Sequence, residues 1–228
     1  MPTQHPTDTS GSPSTGAPSG PIRSGSSSAE QAVSVVLDDL AIQRSLTRMA
    51  HEIVERHADL SKLYLVAIPN GGVPLGRILQ RNLESISGVQ LPLGILDTTL
   101  YRDDLTRNGV RPPLRLTEMP SSVDERVVLI VEDVVSTGRT IRAAMDAMID
   151  FGRPTSVQVV ALVDRGHREL PIKIDYVGKN IPTSIGDKVT FRSAGGKGGE
   201  LDAPFEVVLM AKESPDRNTL RAPLEDGP

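Results

Sequence analysis

The chain of 228 residues has no cysteine and no tryptophan, only 3 phenylalanines and 3 tyrosines, and 4 histidines. Without cysteine there is no disulfide framework, no thiolate zinc site and no cysteine nucleophile, and a reducing cytoplasm is the natural compartment. The histidines, at positions 5, 51, 57 and 167, are too scattered for a structural metal cage. No apolar run approaches the roughly 20 residues of a membrane span, and the first residues lack the basic-then-apolar order of a secretory signal. The expectation is a cytoplasmic, soluble protein with no membrane partner. An excess of one charge is missing as well: 25 Lys and Arg against 29 Asp and Glu give a net charge of −4. Indiscriminate binding to nucleic acid is thereby excluded, and a polyanion would have to be met by a local patch. What is present is 38% hydrophobic residues, enough for the core of one α/β domain.

Residues 1–28 contain 8 Ser, 4 Thr, 5 Pro and 4 Gly, with Ala17 and Ile22 nearly their only apolar side chains. Such a segment buries too little surface to offset the entropy of ordering. A disordered Ser/Pro/Gly-rich tail is expected over 1–32, a folded domain over 33–212, and a second disordered tail over 213–228. Just before that last tail, the run AGGKGG at 194–199 reads as a turn leading to a strand-like FEVVLM at 205–210.

Within the domain, helix and strand patterns alternate. Asp38 and Asp39 look like N-terminal caps for a helix whose apolar positions Ile42, Leu46, Met49 and Ile53 recur at helical spacing. LYLVAI at 63–68 reads as a buried strand, followed by a Pro-Asn-Gly-Gly loop and a helix from near Val73. PLGILDTTLY at 92–101 is strand-like and leads into a polar, aperiodic segment from Arg102 to Asp124. RVVLIV at 126–131, a loop, a helix from about Gly138 to Asp150, and the strand SVQVVALVD at 156–164 complete the pattern. The fold class is therefore α/β, a mainly parallel sheet flanked by helices. Ligands of such sheets gather at the carboxyl ends of the strands.

The sharpest chemical signal is VVLIVEDVVSTGRT at 127–140. A hydrophobic strand leads to two adjacent carboxylates, then to a small-residue loop opening a helix. Backbone N–H groups from Ser136 to Thr140, with the hydroxyls of Thr137 and Thr140, suit a phosphate at a helix N-terminus, and Gly138 allows close approach. Glu132 and Asp133 would accept hydrogen bonds from the vicinal hydroxyls of a sugar attached to that phosphate. A receiver domain also carries an acid pair after a strand, but there it closes the first strand, whereas here two strand–helix units precede it. The Gly-Lys-Ser/Thr ending of a Walker loop is absent.

The same stretch resembles the PRPP-binding signature of type I phosphoribosyltransferases, which grip 5-phosphoribosyl-1-diphosphate. RSLTRMAHEIVER at 44–56, LDTTLYRDDLTRNG at 96–109 and LVDRGHRELPIKIDYVGKNIPTS at 162–184 narrow the resemblance to the PyrR family. Members of that family are pyrimidine-operon attenuators and also uracil phosphoribosyltransferases. The resemblance covers roughly residues 34–192. It implies the type I fold with a flexible loop and a small hood, and transfer of the ribose 5-phosphate of PRPP to uracil, giving UMP and diphosphate. It also implies magnesium, carried mainly on the PRPP diphosphate and not by a protein metal site.

On the matching positions, Glu132 and Asp133 would fix the ribose, and Val134, Val135, Ser136, Thr137, Gly138, Arg139 and Thr140 would hold the 5-phosphate. Asn70, Gly71 and Gly72 would meet the diphosphate, with Arg102 reaching it from the flexible loop at 101–118. Uracil would be read by Val163, Asp164, Arg165 and Gly166. The family's diphosphate loop usually carries Thr-Arg-Gly, and here it is Ile68-Pro69-Asn70-Gly71-Gly72. One missing charge-assisted contact is worth on the order of 1.5–3 kcal/mol.

Spacing places Arg44, Thr47, Arg48 and His51 on one helix face, opposite the apolar stripe. Thr47, Arg48 and His51 fall on family RNA-contact positions, as do Arg168, Lys173 and Lys179. The implied partner is a stem-loop in pyr leader mRNA, bound when uridine nucleotides (UMP, UTP) are abundant. A homodimer or higher homo-oligomer is implied as well. Three alternatives stay open: a phosphoribosyltransferase without an RNA role, a nucleotide-sensing RNA regulator with little catalysis, and a paralogue with another base or ligand.

Overall fold

The apolar runs form strands and the amphipathic segments form helices, as their periodicities dictate, in a computed structural model that describes residues 33–102, 116–194 and 204–211. All of these lie in one compact unit, Gln31–Pro228. The central sheet contains β2 (Leu63–Ala67), β3 (Leu93–Ile95), β4 (Val127–Val135), β5 (Ser156–Asp164) and β6 (Tyr176–Asn180). Its order is β3-β2-β4-β5-β6, with every pairing parallel. Parallel strands are buried on both faces, which is why β2 reads as an unbroken hydrophobic run.

Alternate residues of β2 feed two separate cores. Leu63 and Leu65 pack with Ile42, Leu46, Met49 and Ile53 of α1 (Asp39–Arg56) and with Leu75, Leu79 and Leu83 of α2 (Gly72–Ser87). Tyr64 and Val66 face the other way, onto Ile141, Ala144, Ala147 and Met148 of α3 (Arg139–Met148). Asp38 caps α1, its carboxylate accepting the Ala41 N–H at 2.8 Å. Gly88 ends α2 in the left-handed conformation, φ 73°.

A second, antiparallel sheet has the order β1-β8-β7, built from β1 (Val33–Leu37), β7 (Lys188–Ser193) and β8 (Phe205–Met210). Its rings Phe191 and Phe205 stack at 5.0 Å, and the Phe205 N–H donates to the Asp39 carboxylate at 2.9 Å.

Several boundaries differ from expectation. β4 runs on to Val135, so Glu132 and Asp133 lie inside the strand and not in the loop after it. PLGILDTTLY shortens to β3, because Asp97 turns the chain by accepting hydrogen bonds from the Thr99 N–H and hydroxyl, and a 3-10 turn follows at Thr99–Tyr101. The helix expected from Gly138 starts at Arg139 and closes with a 3-10 turn, Ile149–Phe151. Strands β1, β6 and β7 have no counterpart in the hydrophobic pattern. The expected tails, 1–32 and 213–228, and residues 103–115 of the expected flexible loop lie outside the described residues. Among the described residues no helix is long and apolar enough to cross a membrane.

Candidate active site

Strand order decides where the site forms. From β2 the chain moves outward to β3, then returns to the other side of β2 to form β4. Connections therefore diverge between β2 and β4, and a crevice opens at the carboxyl ends of that pair. Ala67 is level with Val131, and the Ile68 N–H donates to the Val131 carbonyl at 3.1 Å. The loop Ile68–Gly71 consequently lies against Glu132 and Asp133.

Contact there is too close for any side chain. A Cβ on Gly71 would lie 2.1 Å from the Asp133 Oδ2, and one on Gly72 would lie 2.4 Å from the Val131 carbonyl oxygen. The two glycines thus let the loop backbone lie against the Asp133 side chain and the Val131 carbonyl. The Pro69–Asn70 peptide is cis.

Glu132 is buried, and desolvation pushes its carboxyl well above the usual carboxylate range, as does the neighbouring Asp133 charge. The Arg102 guanidinium acts in the opposite direction, which puts Arg102 within electrostatic reach of the pair. Asp133 is also raised, first by desolvation, and the Val134 N–H donating to its Oδ1 at 2.8 Å opposes this. Two adjacent carboxylates held with so little compensation favour a hydroxyl-rich or cationic ligand.

After β4, Val135, Ser136 and Thr137 lead to Gly138, whose φ of 90° only glycine adopts readily. The N-cap Gly138 has no side chain to cap α3, and in its first turn the Arg139 N–H donates to the Thr137 hydroxyl at 3.3 Å, so the helix dipole points toward the crevice with the following N–H groups. Thr137 and Thr140 flank them. The Arg139 guanidinium pairs with the Glu169 carboxylate at 2.7 Å.

The segment after β5 forms the third wall. Val163 is buried. The Asp164 carboxylate accepts the Gly166 N–H and an Arg168 N–H, each at 2.9 Å, and the Arg165 N–H donates to the Val135 carbonyl at 3.1 Å. Gly166 and His167 are both left-handed. The His167 Nε2 lies 2.9 Å from the Thr183 carbonyl oxygen, where only a protonated nitrogen is accommodated.

Arg168 has a position that spacing did not foretell. It donates to Asp164, to the Ser136 carbonyl and to the Ile172 carbonyl, so it clasps the phosphate loop to the segment after β5. The i, i+4 spacing of Asp164 and Arg168 was the available signal. The other residues expected to meet RNA lie elsewhere. Arg44, Thr47, Arg48 and His51 are all exposed on one face of α1. Arg48 reaches across to β6, donating to the Val177 and Gly178 carbonyls at 2.7 and 2.9 Å. Lys179 donates to the Val36 carbonyl at 3.2 Å, and Lys173 is exposed, 4.0 Å from Asp175. Among the described residues no group of three or more His, Asp or Glu is placed to hold a metal ion.

Comparison with known proteins adds three findings. A family model described as phosphoribosyl transferase domain matches residues 32–193. The bifunctional protein PyrR of Pelotomaculum thermopropionicum is 50% identical over 175 residues, 77% of this chain and 94% of that protein; the bifunctional protein PyrR of Halalkalibacterium halodurans is 46% identical over 182 residues, 79% and 98%. A solved hypoxanthine phosphoribosyl transferase of Trypanosoma cruzi shares the fold, with a TM-score of 0.59 over 79% of this chain and 92% of that one, at 23% identity.

Proposed function

Because the chain belongs to the phosphoribosyltransferase domain family, and within it to the PyrR family, we propose that it transfers the 5-phosphoribosyl group of PRPP to uracil, and that it binds a stem-loop of pyr leader mRNA in response to uridine nucleotides. The observation that carries the first half is the crevice between β2 and β4. There the N-terminus of α3, a buried carboxylate pair and a glycine loop converge as a phosphate, a ribose and a diphosphate require.

In this reading the 5-phosphate rests on the loop and first helical turn from Ser136 to Thr140, which Val134 and Val135 lead into, and the ribose hydroxyls donate to Glu132 and Asp133. The diphosphate lies against the backbone of Asn70, Gly71 and Gly72, with Arg102 as the side-chain cation. Uracil lies against Val163, Asp164, Arg165 and Gly166. The bond from the ribose C1 to the diphosphate oxygen breaks ahead of the new bond to uracil N1, so positive charge develops on the ring. Glu132 and Asp133 face that charge, and their raised proton affinity falls as the cation forms. Magnesium, held chiefly by diphosphate oxygens, supplies stabilisation of the leaving group. The Asn-Gly-Gly loop offers the diphosphate main-chain donors in place of a guanidinium.

The second half rests on the exposed α1 face, where Arg44, Thr47, Arg48 and His51 stand in a row beside Lys179 of β6, with Lys173 just before that strand. Cations suit RNA phosphates, and Thr47 and His51 suit unpaired bases. The same reading includes assembly into a homodimer or higher homo-oligomer.

The first test is UMP formation from PRPP and labelled uracil with magnesium, with hypoxanthine as the competing base and Asp133→Asn as control. Turnover with uracil alone, lost in the variant, is expected. Turnover with hypoxanthine would overturn the assignment of the base. No turnover in folded protein would leave the nucleotide-sensing RNA regulator as the account.

A further inference from the structure

Arg102 is the side-chain cation whose charge acts on Glu132, and its placement traces to a contact outside the crevice. Arg102 directly follows the 3-10 turn Thr99–Tyr101. That turn is fastened at its start, where Asp97 accepts the Thr99 N–H at 2.9 Å and the Thr99 hydroxyl at 2.6 Å, and where the Asp97 N–H donates to the Thr117 hydroxyl at 3.1 Å. At its end the Tyr101 hydroxyl donates to the Asp150 Oδ2. Asp150 belongs to the 3-10 turn that extends α3, the helix whose N-terminus forms the phosphate cradle.

On the reading given above, we propose that Tyr101 is a positioning residue for Arg102. Its hydrogen bond to Asp150 ties the backbone preceding Arg102 to the far end of α3, so that the guanidinium and the phosphate cradle are set by the same helix. Three observations support this. The contact joins elements 49 residues apart in sequence, which local turn geometry does not require. The Asp150 carboxylate raises the Tyr101 hydroxyl above its ordinary range, so it stays protonated and remains the donor. And Arg102, one residue further, acts on Glu132, whereas no other guanidinium does so among the influences on that carboxyl.

The test measures PRPP affinity by calorimetry, with turnover alongside, in Tyr101→Phe, Asp150→Ala, Asp150→Asn, Arg102→Ala and the double variant Tyr101→Phe/Arg102→Ala. Loss of the brace is expected to weaken PRPP binding about fivefold to tenfold in Tyr101→Phe and in Asp150→Ala. Asp150→Asn, which keeps an acceptor oxygen, restores most of it. In the Arg102→Ala background Tyr101→Phe adds little, because the group it positions is gone. Equal PRPP affinity in Tyr101→Phe and the unaltered chain, or an effect undiminished in the double variant, overturns the inference. An unaltered chain that does not bind PRPP overturns the phosphoribosyltransferase reading on which it rests.

Discussion

Among single residues, Gly71 and the carboxylate pair show how differently site chemistry is written in a sequence. The pair was legible because two acids ending a hydrophobic strand have few structural reasons to be there. That the strand continues through them to Val135 was not, since valines suit a strand and a loop-facing strand end alike. Gly71 reads as part of a glycine loop for the diphosphate, yet its φ of −69° suits any residue. Its requirement is space, set by Asp133. Gly71→Ala is therefore expected to leave the fold intact and to displace the Asp133 carboxylate, weakening PRPP binding tenfold or more, about 1.4 kcal/mol at tenfold, as a titration by calorimetry would show. For Glu132 the consequence is in stability. Its carboxyl is raised on folding, so the folded chain holds that proton more tightly than the unfolded chain. The associated stability is full below the ordinary carboxylate range and is lost as pH rises toward the raised value. Glu132→Gln should remove this loss, raising the melting temperature at pH 7 by about 2–4 °C if the gain is near 1 kcal/mol, while abolishing UMP formation.

At the scale of elements, strands buried on both faces announced themselves and one-sided strands did not. β2, β4 and β5 are runs of apolar residues, and the helices α1 and α2 show clean stripes. β6 is an edge strand with Tyr176 buried and Lys179 and Asn180 exposed, so it lacks both a run and a regular alternation. Arg48 reaches this edge from α1, donating to the Val177 and Gly178 carbonyls. The helix face read as an RNA surface thus also fastens the helix to the sheet. Arg48→Ala should cost about 1 kcal/mol, a modest figure because the side chain is half exposed, and lower the melting temperature by about 2–4 °C. Arg44→Ala should not. Comparing hairpin affinity in the two variants by filter binding then separates the contribution of charge from that of the latch; a loss confined to Arg48→Ala would point to the latch.

For the whole molecule, the topology collects the site from three distant stretches, near residues 70, 132–140 and 163–168, at one divergence of strand connections. No spacing within one stretch carries that, nor the clasp by which Arg168 joins the phosphate loop to the segment after β5. The buried carboxylate pair also makes the protein's stability and its ligand affinity respond to pH in opposite directions. Raising pH ionises Glu132 and Asp133 at the expense of the unliganded fold, yet the ionised pair is the form that accepts hydroxyl hydrogens and faces a developing cation. The melting temperature of the unliganded chain should therefore fall as pH rises above the carboxylate range, while the increase produced by PRPP with magnesium grows. At 100 times the dissociation constant that increase corresponds to about 2.7 kcal/mol, or roughly 5–10 °C. The 5-phosphate titrates in the same region, so the comparison is with Asp133→Asn, in which the phosphate contribution persists and that of the carboxylate does not. Scanning calorimetry between pH 5 and pH 8 should show the two trends diverging in the unaltered chain and converging in the variant. Parallel trends in both proteins would mean that the pair does not bear the ribose.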